Sequence, residues 1–292
     1  MKILLPFILL IGSLAIYPSL CFGDQKREDK DLLIQVGDIK MAYRIYGSGY
    51  PLVMVMGYGS TMKLWEPGLI GMLSSFFQVI LFDHRGIGGS ETGRLPFTIE
   101  QFADDTAGLL EALGIKQAHM LGWSMGGVIT EEIALRHPSL ANKLVLYSAH
   151  CHSGLFPPSP DVIKKLTDTS GTPAEQGMRF IGLLFPPAWL QSHSERIKEI
   201  FYRPMGNIPI ETMGKQSMAI GTWKGCCDLL AKITNPTLVI AGNEDLLVPP
   251  QNARYLAEKI PDARLILYEN TGHGLMFQDP ERFGNQVIGF LR

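Results

Sequence analysis

The sequence predicts an α/β protein, a mostly parallel sheet with helices on both faces and an inserted helical cap. Three observations predict it. Short apolar runs such as "PLVMVMG", "QVILFD", "QAHMLGW" and "PTLVIAG" read as strands buried on both sides, because they do not alternate and they end at glycine, aspartate or a turn. Stretches with apolar residues at helical spacing separate them, and regular alternation of strand and helix favours a parallel sheet. Over residues 150–228 that rhythm fails: "LFPPSP" and "FPPAWL" are proline-rich, and helical pieces follow one another with no strand between.

In order along the chain, "IKMAYRIYG" alternates as an edge strand does, and "PLVMVMG" is a buried strand stopped by glycine. A helical segment is expected around "TMKLWEPGLIGMLSSF", then the strand "QVILFD" and the glycine-broken loop "HRGIGGS". In "TIEQFADDTAGLLEALGI" Thr98 is the expected N-cap, with Gln101 three residues on and Gly114 as the stop. "QAHMLGW" is a strand, "MGGVITEEIALRHP" a helix ending before Pro138, and "NKLVLYSA" a strand. "EQGMRFIGLL" and "SHSERIKEIFY" are helices of the insertion. Alternation then resumes with "PTLVIAG", "PPQNARYLAEKI", "ARLILYE" and a last helix in "DPERFGNQVIGFL". The expected boundaries are a core of residues 32–149 and 229–292 around a cap of residues 150–228.

With 292 residues, 46% of them hydrophobic, the chain can fill a sizeable core, which argues against a disordered or fibrous protein. A net charge of -2 with no basic run gives no footprint for nucleic acid, so a small-molecule partner is expected. Residues 1–23 combine Lys2 with a broken apolar run and end in small residues, before a charged linker at 24–31. This reads as a secretory signal that ends at Gly23, with Cys21 and Gly23 at the small-residue positions. Leu20, standing before Cys21, disfavours a lipid anchor. A secreted or periplasmic protein with no membrane span after signal cleavage is the expectation. In such a compartment Cys151 could bridge to Cys226 or Cys227, or all three could stay free. No cysteine or histidine spacing suggests a metal site, and no cofactor is expected.

In "GWSMGG" a serine stands where a strand hands over to a helix. Holding a side chain clear on so sharp a turn strains the backbone, and glycines at 122 and 126 remove collisions with the adjoining strand and helix. A serine hydroxyl needs an oriented base to become a nucleophile. His273, in "ENTGHGLMF" after the strand "ARLILYE", is the best-placed histidine; His84 lies in "DHRG", beside an arginine suited to tying down that loop. The base needs an acid, and Asp245 in "NEDLLVPP" follows the strand "PTLVIAG", whereas Asp228 precedes it and Glu244 is one residue early. An oxyanion would be met by the backbone N–H of Met125 and by that of Tyr58, set between glycines in "GYGS".

These motifs, "VMGYG", "LFDHRGIGGS", "GWSMGG", "IAGNEDLLVP" and "NTGHG", in the chain order Ser, Asp, His, resemble the α/β-hydrolase superfamily, and the likeness runs from about residue 32 to the C-terminus outside the insertion. Within it the chain is similar to capped serine hydrolases of the esterase and enol-lactonase type. The resemblance implies an α/β-hydrolase fold and a triad of Ser124, Asp245 and His273 with no cofactor. It also implies a carboxylic ester hydrolase acting on a small, largely apolar ester or lactone. The same triad would serve a C–C bond or peptide hydrolase, and a hydrolase-like ligand-binding protein with little turnover could retain it. Met56 stands where the common pattern has a histidine, which puts the geometry of that loop in question. Trp123, Trp189 and Trp223, with Met178, Leu184 and Phe185, are the expected apolar lining over the substrate.

Overall fold

A computed structural model describes residues 31–292, so the expected signal and all but the last residue of the charged linker lie outside the described residues. Eight strands form one sheet in the order β1-β2-β4-β3-β5-β6-β7-β8. Strands β1 (Leu32–Val36), β2 (Ile39–Tyr46) and β4 (Phe77–Phe82) pair antiparallel. All remaining pairings are parallel, joining β4 to β3 (Tyr50–Val55), β5 (Ala118–Trp123), β6 (Ala141–Tyr147), β7 (Thr237–Gly242) and β8 (Ala263–Tyr268).

Period-two side-chain geometry sorts the apolar residues of these strands onto two faces. Val53, Val55, Ile80, Phe82, Met120, Leu146 and Val239 face one layer of helices. Leu52, Met54, Val79, Leu81, Leu121, Val145 and Ile240 face the other. Helices α2 (Ile99–Ala112), α3 (Met125–Arg136) and α9 (Gln251–Lys259) cover the first face through Phe102, Ile129 and Leu256. Helices α1 (Pro67–Ser74), α10 (Leu275–Gln278) and α11 (Pro280–Leu291) cover the second through Leu69, Phe277 and Phe283. Burying a side chain of this size contributes roughly 1.5–3 kcal/mol, so both layers fix the sheet whose loops carry the candidate residues.

Thr98 caps α2 as its sequence suggests, its hydroxyl accepting Gln101 N–H at 3.0 Å. Two expectations are corrected. "IKMAYRIYG" is not an edge: it is β2, with β1 on its outer side, because a turn at Gly37 (φ 52°) folds "LLIQV" back against it. The segment "TMKLWEPGLIGMLSSF" is not one helix, since Pro67 lacks an N–H and begins α1 afresh after a short 3-10 turn at Met62–Leu64.

Between β6 and β7 come α4 (Pro160–Thr167), α5 (Pro173–Leu184), α6 (Pro187–Ser192), α7 (Ser194–Phe201) and α8 (Ile210–Thr222), with no strand among them. The disulfide that joins this segment's two feet links Cys151 to Cys227, and Cys226 is a buried free thiol whose Sγ–H donates to Glu131 Oε2 at 3.1 Å. Among the described residues no helix is long and apolar enough to cross a membrane.

Candidate active site

Ser124 ends β5 and opens α3 with φ 56° and ψ -119°, a conformation that costs of order 1–3 kcal/mol. Its N–H is bound to Tyr147 O and its carbonyl to Gly127 N–H, each at 2.9 Å, so the turn is held from both sides. A Cβ at Gly122 would sit 2.3 Å from Gly126 O, and one at Gly126 would sit 2.0 Å from Val55 O. The glycines are therefore required by close backbone approach, as the sequence implies.

Asp245, in the loop after β7, is almost fully buried. Its Oδ1 accepts Leu247 and Val248 N–H at 2.9 Å, and its Oδ2 meets His273 Nδ1 at 2.9 Å. A carboxylate oxygen there places the hydrogen on Nδ1 and leaves Nε2 as the basic nitrogen. Glu244 is exposed and makes no such contact. The loop after β8 that carries His273 is fixed through its carbonyl, which accepts from Tyr147 Oη at 2.5 Å and from Trp123 Nε1 at 3.2 Å. Tyr147 is fully buried and its ring stacks on Trp123 at 5.8 Å. Nothing in the sequence pattern singles Tyr147 out, beyond an aromatic residue at the end of a strand.

Tyr58 follows β3, and the next N–H, that of Gly59, is occupied by Gln216 Oε1 of α8 at 2.9 Å. Met125 is the first residue of α3, so its N–H has no carbonyl one turn back within the helix. The carbonyl of Met56 is held from the loop after β4: His84 Nε2 donates to Met56 O at 2.9 Å, and burial lowers the affinity of His84 for a second proton. Arg85, wholly buried, donates to Asp105 at 2.6 and 2.7 Å and to Asp38 at 3.2 Å, which anchors the "HRGIGGS" loop as expected.

The three tryptophans have different places. Trp123 lies within the core at the end of β5, its ring 5.6 Å from His273. Trp223 caps α8 and donates from Nε1 to Glu132 Oε1 at 2.9 Å. Trp189 stacks on Phe185 at 4.7 Å. Phe185 itself packs down on the His273 loop: Gly274 N–H donates to Leu184 O at 2.9 Å, and a Cβ at Gly274 would lie 2.4 Å from the Phe185 ring. Met178 is 53% exposed. Among the described residues no group of three or more histidines, cysteines and carboxylates is placed to hold a metal ion.

The chain is 31% identical over 256 residues to the "Putative carbamate hydrolase RutD" of Azorhizobium caulinodans, covering 87% of this chain and 96% of that one. A thermophilic esterase from Thermogutta terrifontis superposes with TM-score 0.76 at 26% identity, over 90% of this chain and 98% of the esterase. The enol-lactonase from Burkholderia xenovorans superposes with TM-score 0.73 at 25% identity, over 89% of this chain and 99% of that one. The family model described as serine aminopeptidase S33 matches residues 51–281, and the chain thus belongs to that family and is an α/β-hydrolase enzyme.

Proposed function

We propose that the protein is a secreted serine hydrolase that cleaves a small carboxylic ester or lactone through an acyl-enzyme on Ser124. The observation that carries this reading is the buried His273–Asp245 pair on the loops after β8 and β7, in one sheet with the strained Ser124 after β5. Ser124 Oγ attacks the substrate carbonyl while His273 Nε2 takes its proton, and Asp245 steadies the imidazolium that forms. The N–H groups of Tyr58 and Met125 bind the developing oxyanion. His273 then protonates the leaving group, and water repeats the cycle to free the acid. Residues 150–228 act as a cap over the core of residues 32–149 and 229–292, with Trp189 and Trp223 facing substrate. Trp123 supports His273 from below.

The relative named for carbamates favours a second reading, in which the attacked carbonyl belongs to a carbamate. The same nucleophile and oxyanion donors serve it, with nitrogen on the acyl side. Secretion rests on the apolar start of residues 1–23, and the Cys151–Cys227 bridge supports it because disulfides persist in oxidising compartments.

Hydrolysis of p-nitrophenyl esters of short and medium acyl chains, beside the corresponding carbamate, tests the reading. Ser124→Ala should lower kcat by roughly four to six powers of ten. Parent and variant turning over equally would overturn it, and binding without turnover in the parent would favour a receptor. Intact mass of the exported protein should begin at Asp24; a retained Met1 would refute signal cleavage.

A further inference from the structure

Helix α8 lies across three strand ends. Gln216, Ala219 with Ile220, and Trp223 recur every three or four residues and so share one face. At one end of that face Gln216 Oε1 holds Gly59 N–H, in the loop after β3. At the other, the Trp223 ring lies 6.3 Å from the ring of His150, in the loop after β6. Strand β5, which ends at Ser124, runs between β3 and β6. Met125, Ala219 and Trp223 belong to the core on this side of the sheet, and Tyr58 packs against that core. The face of α8, with Tyr58 and His150, is therefore a wall that spans the serine turn.

Three polar atoms of this wall are buried and have no hydrogen-bond partner among the described residues: Tyr58 Oη, Gln216 Nε2 and His150 Nδ1. Gln216 is wholly buried, and its amide cannot turn round, because Gly59 N–H requires the oxygen. An unmet buried polar atom is costly, and a hydrogen-bonding ligand along this wall would relieve three of them together. All three groups are neutral near pH 7. Burial pushes the Tyr58 hydroxyl up to about 12 and His150 down to about 4, the latter also feeling the nearby charges of His152 and His273. No cation offsets an anion there: Lys215 of α8 is paired with Glu211 at 2.7 Å, and Lys224 is exposed.

We propose that this wall is a neutral polar subsite, and that the acyl part of the substrate carries, beyond the carbonyl that Ser124 attacks, a second uncharged hydrogen-bonding group such as a ketone, hydroxyl or amide. The inference rests on the hydrolase reading above and replaces a wholly apolar pocket with one that is apolar except along α8.

Three p-nitrophenyl esters with the same five-carbon acyl chain test it: valerate, levulinate with its ketone, and the glutarate monoester with its carboxylate. After subtraction of spontaneous hydrolysis, kcat/KM for levulinate should exceed that for valerate about tenfold, the worth of one added hydrogen bond of ~1.4 kcal/mol. The glutarate ester should be the slowest. Tyr58→Phe, which removes only the hydroxyl, and His150→Leu should each draw the levulinate-to-valerate ratio toward one. The ratio compares two substrates on one preparation, so partial misfolding does not move it. A ratio near one in the parent, or the glutarate ester as the fastest, would overturn the subsite and leave the hydrolase standing. A high ratio that survives both substitutions would overturn the assignment to this wall. No turnover of any ester would overturn both.

Discussion

Side chains at the carboxyl ends of the strands are each held by several partners, while those of α4 and α6 in the inserted segment are held by few. Asp245 has three hydrogen bonds and the carbonyl of His273 has two, all of them buried or partly so. In the insertion, α6 buries no residue and α4 only Val162, and Tyr202 stands 74% exposed. The insertion is instead tied down at separate points. Arg196 reaches Glu66 at 2.8 Å, Arg203 reaches Leu64 O at 2.8 Å, and the disulfide closes its base. The difference teaches a division of labour: the atoms proposed for chemistry are held from several sides, whereas α4 and α6 have few contacts to lose and can change shape with few substitutions.

The largest effect expected from breaking the frame is at Arg85. Arg85→Met leaves Asp105 buried without its cation and should cost about 3–5 kcal/mol in urea unfolding. A loss under about 1 kcal/mol, the range of an exposed pair, would show that the frame does not depend on this loop. Next comes the tie at the base of the insertion. Replacing Cys151 and Cys227 by serine opens a link across 76 residues of chain and should cost about 2–4 kcal/mol. It should raise KM several-fold with a smaller change in kcat; equal loss in both would place the insertion within the rigid frame and erase the contrast.

The smallest effect is the dependence of stability on pH, which sharpens the picture of the frame itself. Burial holds His119 and His150 down to about 4 in the folded chain, against about 6.5 when unfolded. Between those values the unfolded chain binds more protons, so their contribution is complete above about pH 6.5 and is lost as pH falls toward 4. Glu131, buried and with Oε1 unpartnered, is raised well above the usual carboxylate range by burial. Here the folded chain holds the proton more tightly, so its contribution is complete below the ordinary carboxylate value of about 4.3 and is lost as pH rises through the folded value. Tm should therefore peak between these limbs. Glu131→Met should flatten the alkaline one by a few degrees, read by thermal unfolding across pH; an unchanged alkaline limb would show that Glu131 does not set it.

The α/β alternation, the Ser124 turn and the loops bearing Asp245 and His273 were all legible in the sequence, because each is a local matter of apolar runs and glycines. Strand β1 was not, since five residues with one hairpin turn leave too short a pattern to separate from the charged segment before it. Nor were the supports of the site. Tyr147 reaches His273 across 126 residues, Gln216 reaches Gly59 across 157, and His84, in the loop after β4, reaches Met56 across 28. Such partners are chosen by the packing of elements already formed, and no local periodicity records them. The contacts of Trp123 with Tyr147 and His273 went unseen for the same reason.

The bond between Cys151 and Cys227 makes the inserted segment a covalent ring hung from the sheet. A protease that cuts once inside that ring, in the exposed stretches around α4 or α6, cannot detach either piece, because the chain remains joined on both sides of the cut. A chain nicked there keeps its two halves at each other's side until the Cys151–Cys227 bond is reduced.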